Sequence, residues 1–294
     1  MSLPPQFAQF DKRLLRRSFE RAAASYDAAA VLQHEVCKRM DERLMLIKHQ
    51  PAAILDAGSG TGNALAGLGT RYPRARVIAL DLALAMLHRA RARRSWWKSL
   101  FKPPAGAVCG DIEQLPLANG SVDMVWSNLA LQWMNDPAQA FGEFHRVLAP
   151  GGLLMFSTFG PDTLKELRAA YAGVDKHTHV SRFIDLHDIG DMLVKRGFAD
   201  PVMDMEPFTL TYSDVRALMH DLKAIGAHNV THDRPPGLTG RDRLAAVTKA
   251  YEPLRRDGKL PATFEVVYGH AWKPLPRVTA SGKRVIDIKA SHER

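Results

Sequence analysis

One stretch of the chain combines an acid with three regularly spaced glycines. It reads Ile54-Leu55-Asp56-Ala57-Gly58-Ser59-Gly60-Thr61-Gly62. Apolar residues precede the acid and a helical pattern follows the last glycine, so the stretch predicts the turn between a buried β-strand and a helix. Glycines permit a tight turn and close approach to the backbone, and the first turn of a helix presents unpaired N–H groups. The stretch therefore predicts a ligand-binding turn.

Short apolar runs alternate with segments of helical periodicity along the first half of the chain. This alternation is typical of repeated strand–helix–strand units. The runs are apolar on both faces, which favours parallel strands covered by helices on each side. We therefore predict an α/β fold with a doubly wound, mostly parallel sheet. The predicted strands are Ala52–Ala57, Arg76–Leu80, Ala107–Cys109, Val122–Ser127 and Leu153–Thr158.

The remaining segments are predicted to cover this core. A helix over Ala28–Ile47 precedes the first strand. Two later strand-like runs, Val202–Thr211 and Thr263–His270, enclose a helical insertion that we expect over the working edge of the sheet. The predicted units are an N-terminal helical cover (1–50), a core (51–211 with 261–274), the helical insertion (212–260) and a loose tail (275–294).

Composition excludes several classes of protein. Hydrophobic residues make up 46% and charged residues 24%, the proportions of an ordinary folded soluble chain. No apolar run approaches the ~18–20 residues of a spanning helix, and residues 1–19 lack a secretory signal pattern, so we expect a cytoplasmic protein without a membrane partner. Two cysteines argue against a disulfide framework. The net charge of +9 suggests an acidic partner.

The pattern D-x-G-x-G-x-G resembles the first motif with which class I methyltransferases bind S-adenosylmethionine (AdoMet). Its last glycine is spaced differently from that of the dinucleotide fingerprint. The resemblance implies that Gly58, Gly60 and Gly62 let AdoMet approach the backbone, and that Asp56 receives its ammonium group directly or through water. A glycine-rich turn without a ligand is the alternative.

Two further acids follow the next two predicted strands. Asp81 lies close to the ~20-residue offset at which an acid meets ribose hydroxyls in such units, and it also suits the N-cap of a helix from Ala83 onward. Both roles are compatible. Asp111 resembles the acid that binds the adenine amino group in these enzymes, with a turn-forming aspartate as the alternative.

Two other ligand classes are disfavoured. The fourth predicted strand lacks the Pro-Pro-aromatic motif of nucleobase amino-methyltransferases, so we expect no nucleic-acid substrate. The basic segment Arg89–Lys102, read as a helix, either contacts phosphates or forms a solvated face. We expect no metal, because the spacing of one cluster of histidines and acids does not place three ligands on one helical face. That cluster is His177, His179, Asp185, His187 and Asp188.

Longer pieces resemble one family, the malonyl-acyl carrier protein O-methyltransferases of biotin synthesis. The resemblance covers about Asp11 to Pro274, and the pieces within the insertion are the most specific. Ser59 stands where a cysteine is common. The pieces include Phe19-Glu20-Arg21-Ala22-Ala23-Ala24-Ser25-Tyr26, Leu32-Gln33, Gly110-Asp111-Ile112-Glu113-Gln114-Leu115-Pro116, Trp126-Ser127-Asn128-Leu129-Ala130-Leu131-Gln132-Trp133, Arg182-Phe183, Leu222-Lys223-Ala224-Ile225-Gly226-Ala227 and Leu238-Thr239-Gly240-Arg241.

The resemblance implies methyl transfer from AdoMet to the free carboxylate of malonyl on an acidic acyl carrier protein. That carboxylate, with a pKa near ~4, is ionised at neutral pH and needs no catalytic base. It does need a cation, and Arg182 and Lys223 are the candidates, with surface salt bridges as the alternative. The implied AdoMet-binding residues are Tyr26, Asp56, Gly58, Gly60, Gly62, Asp81, Asp111, Ile112 and Asn128.

The net charge predicts how the acidic carrier docks. We expect basic side chains outside the cleft to contact it. The candidates are Arg89, Arg91, Arg93, Arg94, Arg255 and Arg256.

Two rival functions use the same scaffold. The pieces Gly160–Arg168 and Pro261–Tyr268 also resemble mitochondrial complex I assembly factors that hydroxylate an arginine. A non-catalytic AdoMet-fold assembly partner is the other rival. The three differ in the mass they add to a substrate: one CH₂, one oxygen or nothing.

Overall fold

The described part of the protein contains one seven-stranded sheet. The computed structural model describes residues 9–93, 106–175, 177–227 and 240–276. The strands are β1 Ala53–Ala57, β2 Arg76–Asp81, β3 Gly106–Cys109, β4 Val122–Ser127, β5 Leu148–Phe159, β6 Ala199–Tyr212 and β7 Leu260–Trp272. Their order across the sheet is β3-β2-β1-β4-β5-β7-β6.

Five neighbouring strands run parallel. β1 pairs in parallel with β2 and β4, β2 with β3, and β4 with β5. β7 is antiparallel to both β5 and the edge strand β6. Every residue of β1 is buried, as a central strand covered on both faces requires, whereas β6 mostly alternates between partly buried and exposed residues. The prediction of a doubly wound, mostly parallel α/β sheet is confirmed.

Helices pack on both faces of the sheet. Neighbouring residues of β1 contribute to different hydrophobic layers, since alternate side chains of a strand point to opposite faces. Ile54 packs in one layer with Trp126, and Leu55 in the other with Phe141 and Phe144. The helices are α1 Lys12–Ala22, α2 Tyr26–Ala29, α3 Val31–Leu44, α4 Asn63–Arg71, α5 Leu84–Ala92, α6 Pro137–Val147, α7 Lys165–Ala172, α8 Leu186–Lys195, α9 Val215–Ala224 and α10 Arg241–Tyr251.

The predicted helix over Ala28–Ile47 is wrong in extent. The helix is interrupted at Ala30, whose ψ of 39° lies outside the helical region. Helix α2 therefore ends before Ala30 and helix α3 begins after it. α3 then ends at Leu44. The apolar residues that carry the helical periodicity all follow Ala30, so the pattern gave no signal of the break.

Helix α5 begins at Leu84, as expected for a helix from Ala83 onward, and it includes Arg89–Ala92 of the basic segment Arg89–Lys102. The carboxylate of Glu20, on α1, accepts hydrogen bonds from the backbone N–H groups of Leu84 and Ala85 at 2.8 and 2.9 Å. This long-range cap neutralises the free N–H groups of the first turn. Residues 94–102 of the predicted helix lie outside the described residues.

The N-terminal helices contact the helices between β6 and β7. Ser18 Oγ donates to Gly226 O at 2.9 Å, and Ser25 Oγ donates to Ala224 O at 3.2 Å. These bonds join α1 to the end of α9. Across the described ranges, no helix combines the length and apolar character needed to cross a bilayer. The division of the chain into units stays a prediction, and most of the predicted tail lies outside the described ranges.

Candidate active site

The glycine turn after β1 is held by β2. The backbone N–H of Gly58 donates to Leu80 O at 2.8 Å. Gly58 has a φ of +79°, and a Cβ atom there would lie 2.4 Å from Ala130 Cβ. Gly62, with a φ of +82°, precedes α4, and a Cβ there would lie 2.8 Å from Ala90 Cβ. Both positions therefore require glycine, which leaves the backbone open on the side of the cleft described below.

Asp56 is a buried acid with an unpaired oxygen. Its exposure is 2%, and its Oδ2 has no hydrogen-bond partner among the described residues. Burial, aided by the charge of Asp81, raises the pKa of Asp56 to about 8. A buried carboxylate without a partner is costly, and a ligand ammonium group would offset that cost.

Asp81 holds the glycine turn and the start of α5. Its Oδ2 accepts from Gly60 N and its Oδ1 from Ala83 N, each at 2.8 Å. Burial raises the pKa of Asp81 to about 6, although these two hydrogen bonds oppose the rise. Asp81 also lines the cleft. The predicted N-cap role of Asp81 is wrong, because Ala83 is the N-cap of α5 and Asp81 binds the backbone just before the helix. The ribose contact stays a prediction.

Asp111 is joined to α1 by a basic residue. Its Oδ1 accepts from Lys12 Nζ at 3.1 Å and from Glu113 N at 3.0 Å. Lys12 also pairs with the carboxylate of Glu113. Asp111 and the buried Ile112 both line the cleft, at the positions that the sequence assigned to adenine. Lys12 was not predicted, because nothing in the sequence near residue 12 marks its contact with residue 111.

Tyr26 and Asn128 line the same cleft. A Cβ atom on Gly60 would lie 4.0 Å from Tyr26 Cε1, so the ring faces the glycine turn. Burial, followed by the charges of Asp81 and Asp27, raises the pKa of Tyr26 far above its ordinary value. Asn128 donates through Nδ2 to Gln33 O at 3.0 Å and accepts from Ser157 Oγ at 2.9 Å.

One cleft joins most of these residues to a second, more apolar region, although Asp56 and Gly62 are not part of its lining. It holds about 1530 Å³ of empty space, part of it open to solvent. We call the part lined by Gly58, Gly60, Asp81, Asp111 and the segment after β4 the AdoMet end. We call the part lined by Phe159, at the end of β5, and by later residues the substrate end; its lining includes Phe159, Leu164, His179, Phe183, Leu210, Tyr212, Leu222 and Phe264.

The two cations predicted to recognise the substrate are not brought together in the cleft. Arg182 is exposed and lines a second cavity, which shares Ser181 and Phe183 with the first. Lys223 is exposed in the last turn of α9 and does not line the cleft. Their contact with substrate stays a prediction.

Several polar side chains in the cleft, including Gln33, Gln132 and His179, were not assigned to AdoMet or substrate from the sequence. Gln33 and Gln132 each have a buried Oε1 atom without a hydrogen-bond partner among the described residues. Both occur in the pieces that resemble the family, so the signal was present. His179 was considered only as a metal ligand. The described residues contain no group of three or more His, Cys, Asp or Glu placed to hold a metal.

The residues at the AdoMet end fit AdoMet. The open backbone at the glycine turn admits a ligand, and the unpaired oxygen of Asp56 suits a cationic group. The unpaired acceptors of Gln33 and Gln132 suit N–H or O–H donors, and Asp81 offers carboxylate oxygens to hydroxyls. Buried polar atoms normally have partners, so these vacant acceptors point to a polar ligand.

Fold and family comparisons agree on the class of protein. Residues 55–156 match the family model described as "Methyltransferase domain". The fold is similar to that of the YcgJ protein from Bacillus subtilis, with a TM-score of 0.56 at 16% identity, covering 82% of this chain and 99% of that chain. Together with the cleft, these findings define a class I AdoMet-dependent methyltransferase.

More extensive similarity identifies the family. A malonyl-[acyl-carrier protein] O-methyltransferase from Gallionella capsiferriformans (strain ES-2) is 61% identical over 277 residues, which cover 94% of this chain and 96% of the relative. One of the same name from Laribacter hongkongensis (strain HLHK9) is 59% identical, covering 91% of each chain. The chain therefore belongs to the malonyl-[acyl-carrier protein] O-methyltransferase family, and the resemblance found in the sequence is confirmed.

Proposed function

We propose that this protein transfers a methyl group from AdoMet to the free carboxylate of malonyl carried on an acyl carrier protein. This reaction is the first step in the synthesis of the pimeloyl moiety of biotin. The observation that carries the proposal is the single cleft, in which an AdoMet end with vacant polar acceptors opens into a largely apolar chamber. Relatives that bear the name of this activity match over nine-tenths of the chain.

The chemistry requires alignment rather than proton transfer. AdoMet supplies a methyl group bonded to a positively charged sulfur. An O–C bond forms as the S–C bond breaks, the electron pair of the broken bond stays on sulfur, and no proton moves. A carboxylate of pKa near ~4 is already ionised, so the protein has to bind, orient and exclude water.

The walls of the cleft suit these tasks. Asp81 would hold the ribose, and Gly58 and Gly60 would let the ligand reach the backbone. Asp56, buried behind the lining with an unpaired oxygen, would receive the ammonium group directly or through water. At the substrate end, the ring of Phe159 lies 5.6 Å from that of Phe183 and 5.8 Å from that of Phe264. This aromatic cluster would exclude water from the reacting carboxylate and so favour transfer.

Arg182 and Lys223 take a modified role in this proposal. Their exposure places them outside the cleft lining, where contact with the reacting atoms would need a rearrangement of the cover. We assign them to attracting the negatively charged substrate towards the cleft, a long-range effect that salt screens.

An acidic carrier would dock on exposed arginines. Arg255 is engaged by Glu252 and by the backbone oxygens of Ser213 and Gly258, and Arg93 pairs with Asp27 at 3.1 Å. These two are therefore poor docking residues, and Arg94 lies outside the described ranges. Exposed arginines that pair with no acid in the described ranges are better candidates: Arg89, Arg91, Arg256, and on the outer face of α1 Arg13, Arg17 and Arg21.

Intact-mass analysis tests the proposal. The protein, incubated with AdoMet and malonyl-acyl carrier protein, should add one CH₂ to the carrier and convert AdoMet to S-adenosylhomocysteine. Acetyl-acyl carrier protein, which lacks the free carboxylate, is the matched control and should gain nothing. No added mass on the malonyl form would contradict the proposal, and one added oxygen on an arginine-bearing protein would favour the hydroxylase instead.

The pieces shared with the hydroxylase branch have a structural explanation. Gly160 N donates to Glu265 O at 2.9 Å, Leu164 N to Thr263 O at 2.6 Å, and Asp162 N to the Glu265 carboxylate at 2.7 Å. The segment that follows β5 and the first half of β7 therefore pack against each other as one unit. A shared structural unit does not favour the hydroxylase reaction.

A further inference from the structure

The substrate end of the cleft offers few charged partners for a carboxylate. Among the described residues that line the cleft, the basic side chains are Lys12 and His179. Lys12 lies at the AdoMet end, where Asp111 and Glu113 bind it. His179 is therefore the basic group left for the substrate end.

His179 is held in one orientation. Its ring stacks on that of Tyr171, with centroids 3.7 Å apart and planes inclined by 10°. Its Nε2 lies 2.8 Å from Asp175 Oδ1, and the side chain is 10% exposed. The other ring nitrogen, Nδ1, has no hydrogen-bond partner among the described residues. Stacking and the Asp175 contact thus leave Nδ1 as the vacant nitrogen of a cleft-lining residue.

Asp175 is fixed from its other side. Its Oδ2 pairs with Arg243 Nε at 3.2 Å, and its Oδ1 also accepts from His177 N at 2.9 Å. Burial alone would raise the pKa of Asp175, but these two contacts and the bond to His179 outweigh burial and hold the pKa below its ordinary value. An ionised Asp175 can only accept, so it binds Nε2–H of His179 and fixes the orientation of the ring with Nδ1 left for another partner.

We propose that His179 selects the free carboxylate of the malonyl group, donating Nδ1–H to a carboxylate oxygen while Asp175 holds Nε2–H. The inference rests on the proposed function and deepens it. With a carboxylate on each ring nitrogen the complex favours the ring that carries both protons, and that ring supplies the cation that a buried anion needs. The methyl ester formed by the reaction has lost that charge, so it binds His179 more weakly and leaves the cleft.

This role predicts a particular kinetic signature. His179 contacts the carboxylate before transfer, and in the transition state the carboxylate still carries much of its charge. Removing an interaction of similar strength in the ground state and the transition state raises KM and leaves kcat nearly unchanged. Replacing a residue that merely supports the fold would instead lower AdoMet affinity and protein stability as well.

His179→Gln is the variant that tests the inference, because glutamine can still donate to Asp175 but carries no charge. With malonyl-N-acetylcysteamine as a small substrate, we expect KM to rise about ten- to a hundredfold, since a hydrogen bond between charged groups is lost. AdoMet affinity and kcat should change less than about threefold. Wild-type protein should bind the malonyl thioester more tightly than its methyl ester, and the variant should lose this preference.

Arg243→Gln is the matched control, because it removes the outer contact of Asp175 without changing the cleft lining. It should leave KM within about threefold of wild type; an equal rise in both variants would show a structural role for His179. If His179→Gln fails to fold, His179→Asn takes its place, with the same expected rise in KM. An unchanged KM in an active, folded variant overturns the inference, whereas an inactive wild type overturns the proposed function itself.

Discussion

The AdoMet end and the substrate end of the cleft are built in different ways. The AdoMet end consists of residues that directly follow parallel strands: the glycine turn after β1, Asp81 at the end of β2, and Asp111 just after β3. The substrate end is assembled from distant segments, including the 179–183 loop, β6, α9 and β7. The AdoMet end can be predicted from short motifs, whereas the substrate end depends on which helices, strands and loops pack over the edge of the sheet.

The difference follows from sheet geometry. The carboxyl ends of adjacent parallel strands meet at one edge, so residues that follow them are neighbours by construction. Nothing comparable brings His179 and Tyr212 to one cleft, because they lie on segments separated by more than thirty residues of chain. We expect substitutions at the AdoMet end to affect AdoMet binding strongly, and those at the substrate end to spare it.

Gly58→Ala should have the largest effect. A Cβ atom would lie 2.4 Å from Ala130 Cβ, and the φ of +79° strains any other residue, for a combined cost of about 2–5 kcal/mol. We expect AdoMet affinity, measured by calorimetric titration, to fall about a hundredfold or more. Gly67→Ala is the control, since a Cβ there meets nothing within 4 Å and lies in α4. Equal losses in both variants would contradict the assignment of the turn.

Asp81→Ala should have the next largest effect. It removes acceptors for Gly60 N and Ala83 N as well as the predicted ribose contacts, so we expect AdoMet affinity to fall about ten- to a hundredfold. Asp185→Ala removes an aspartate that likewise binds backbone N–H, as the N-cap of α8, where it accepts from His187 N at 2.8 Å; this variant should cost about 1 kcal/mol of unfolding free energy without affecting AdoMet. Unchanged affinity in the Asp81 variant would leave Asp81 with only its structural bonds to Gly60 N and Ala83 N.

The pH dependence of AdoMet binding tests Asp56. Its carboxyl, with a pKa of about 8 in the free protein, is protonated below pH 8, whereas a ligand ammonium group favours the ionised form. Binding below pH 8 must then release a proton, so affinity should fall as pH is lowered from 8 to 6, by at most about tenfold per unit. Above about pH 8 the AdoMet amino group loses its own charge, so affinity should be highest near pH 8.

Calorimetry in buffers of different ionisation enthalpy would count the released protons. Asp56→Asn cannot titrate and should bind AdoMet with little dependence on pH between 6 and 8. The same slope in wild type and variant would assign the proton to another group.

The AdoMet end could be predicted from the sequence and most of the substrate end could not, because only the AdoMet end is built from local motifs. Apolar periodicity and the acid-and-glycine pattern identified the sheet and the turn, because burial on both faces and positive φ at Gly58 each leave a local trace. The break at Ala30 and the cap of α5 by Glu20 leave none, since both depend on long-range packing. The same limit directed the search for a carboxylate-binding cation to Lys223, where the pattern was distinctive, and away from His179.

Lys223→Met should have the smallest effect. Lys223 is exposed and outside the cleft lining, and exposed charges contribute little to local contacts. With a small malonyl thioester we expect kcat/KM to stay within about threefold of wild type, and with malonyl-acyl carrier protein we expect a modest rise in KM that added salt removes. Lys195→Met is the control, because Lys195 is an exposed residue of α8 that pairs with Asp191 at 3.6 Å. It should change neither kcat/KM with the small thioester nor KM with malonyl-acyl carrier protein.

A more than tenfold loss of kcat/KM with the small thioester in Lys223→Met would mean that α9 moves to bring Lys223 into the cleft during turnover. The substrate end would then be completed by motion of its cover, whereas the AdoMet end is already formed by the sheet.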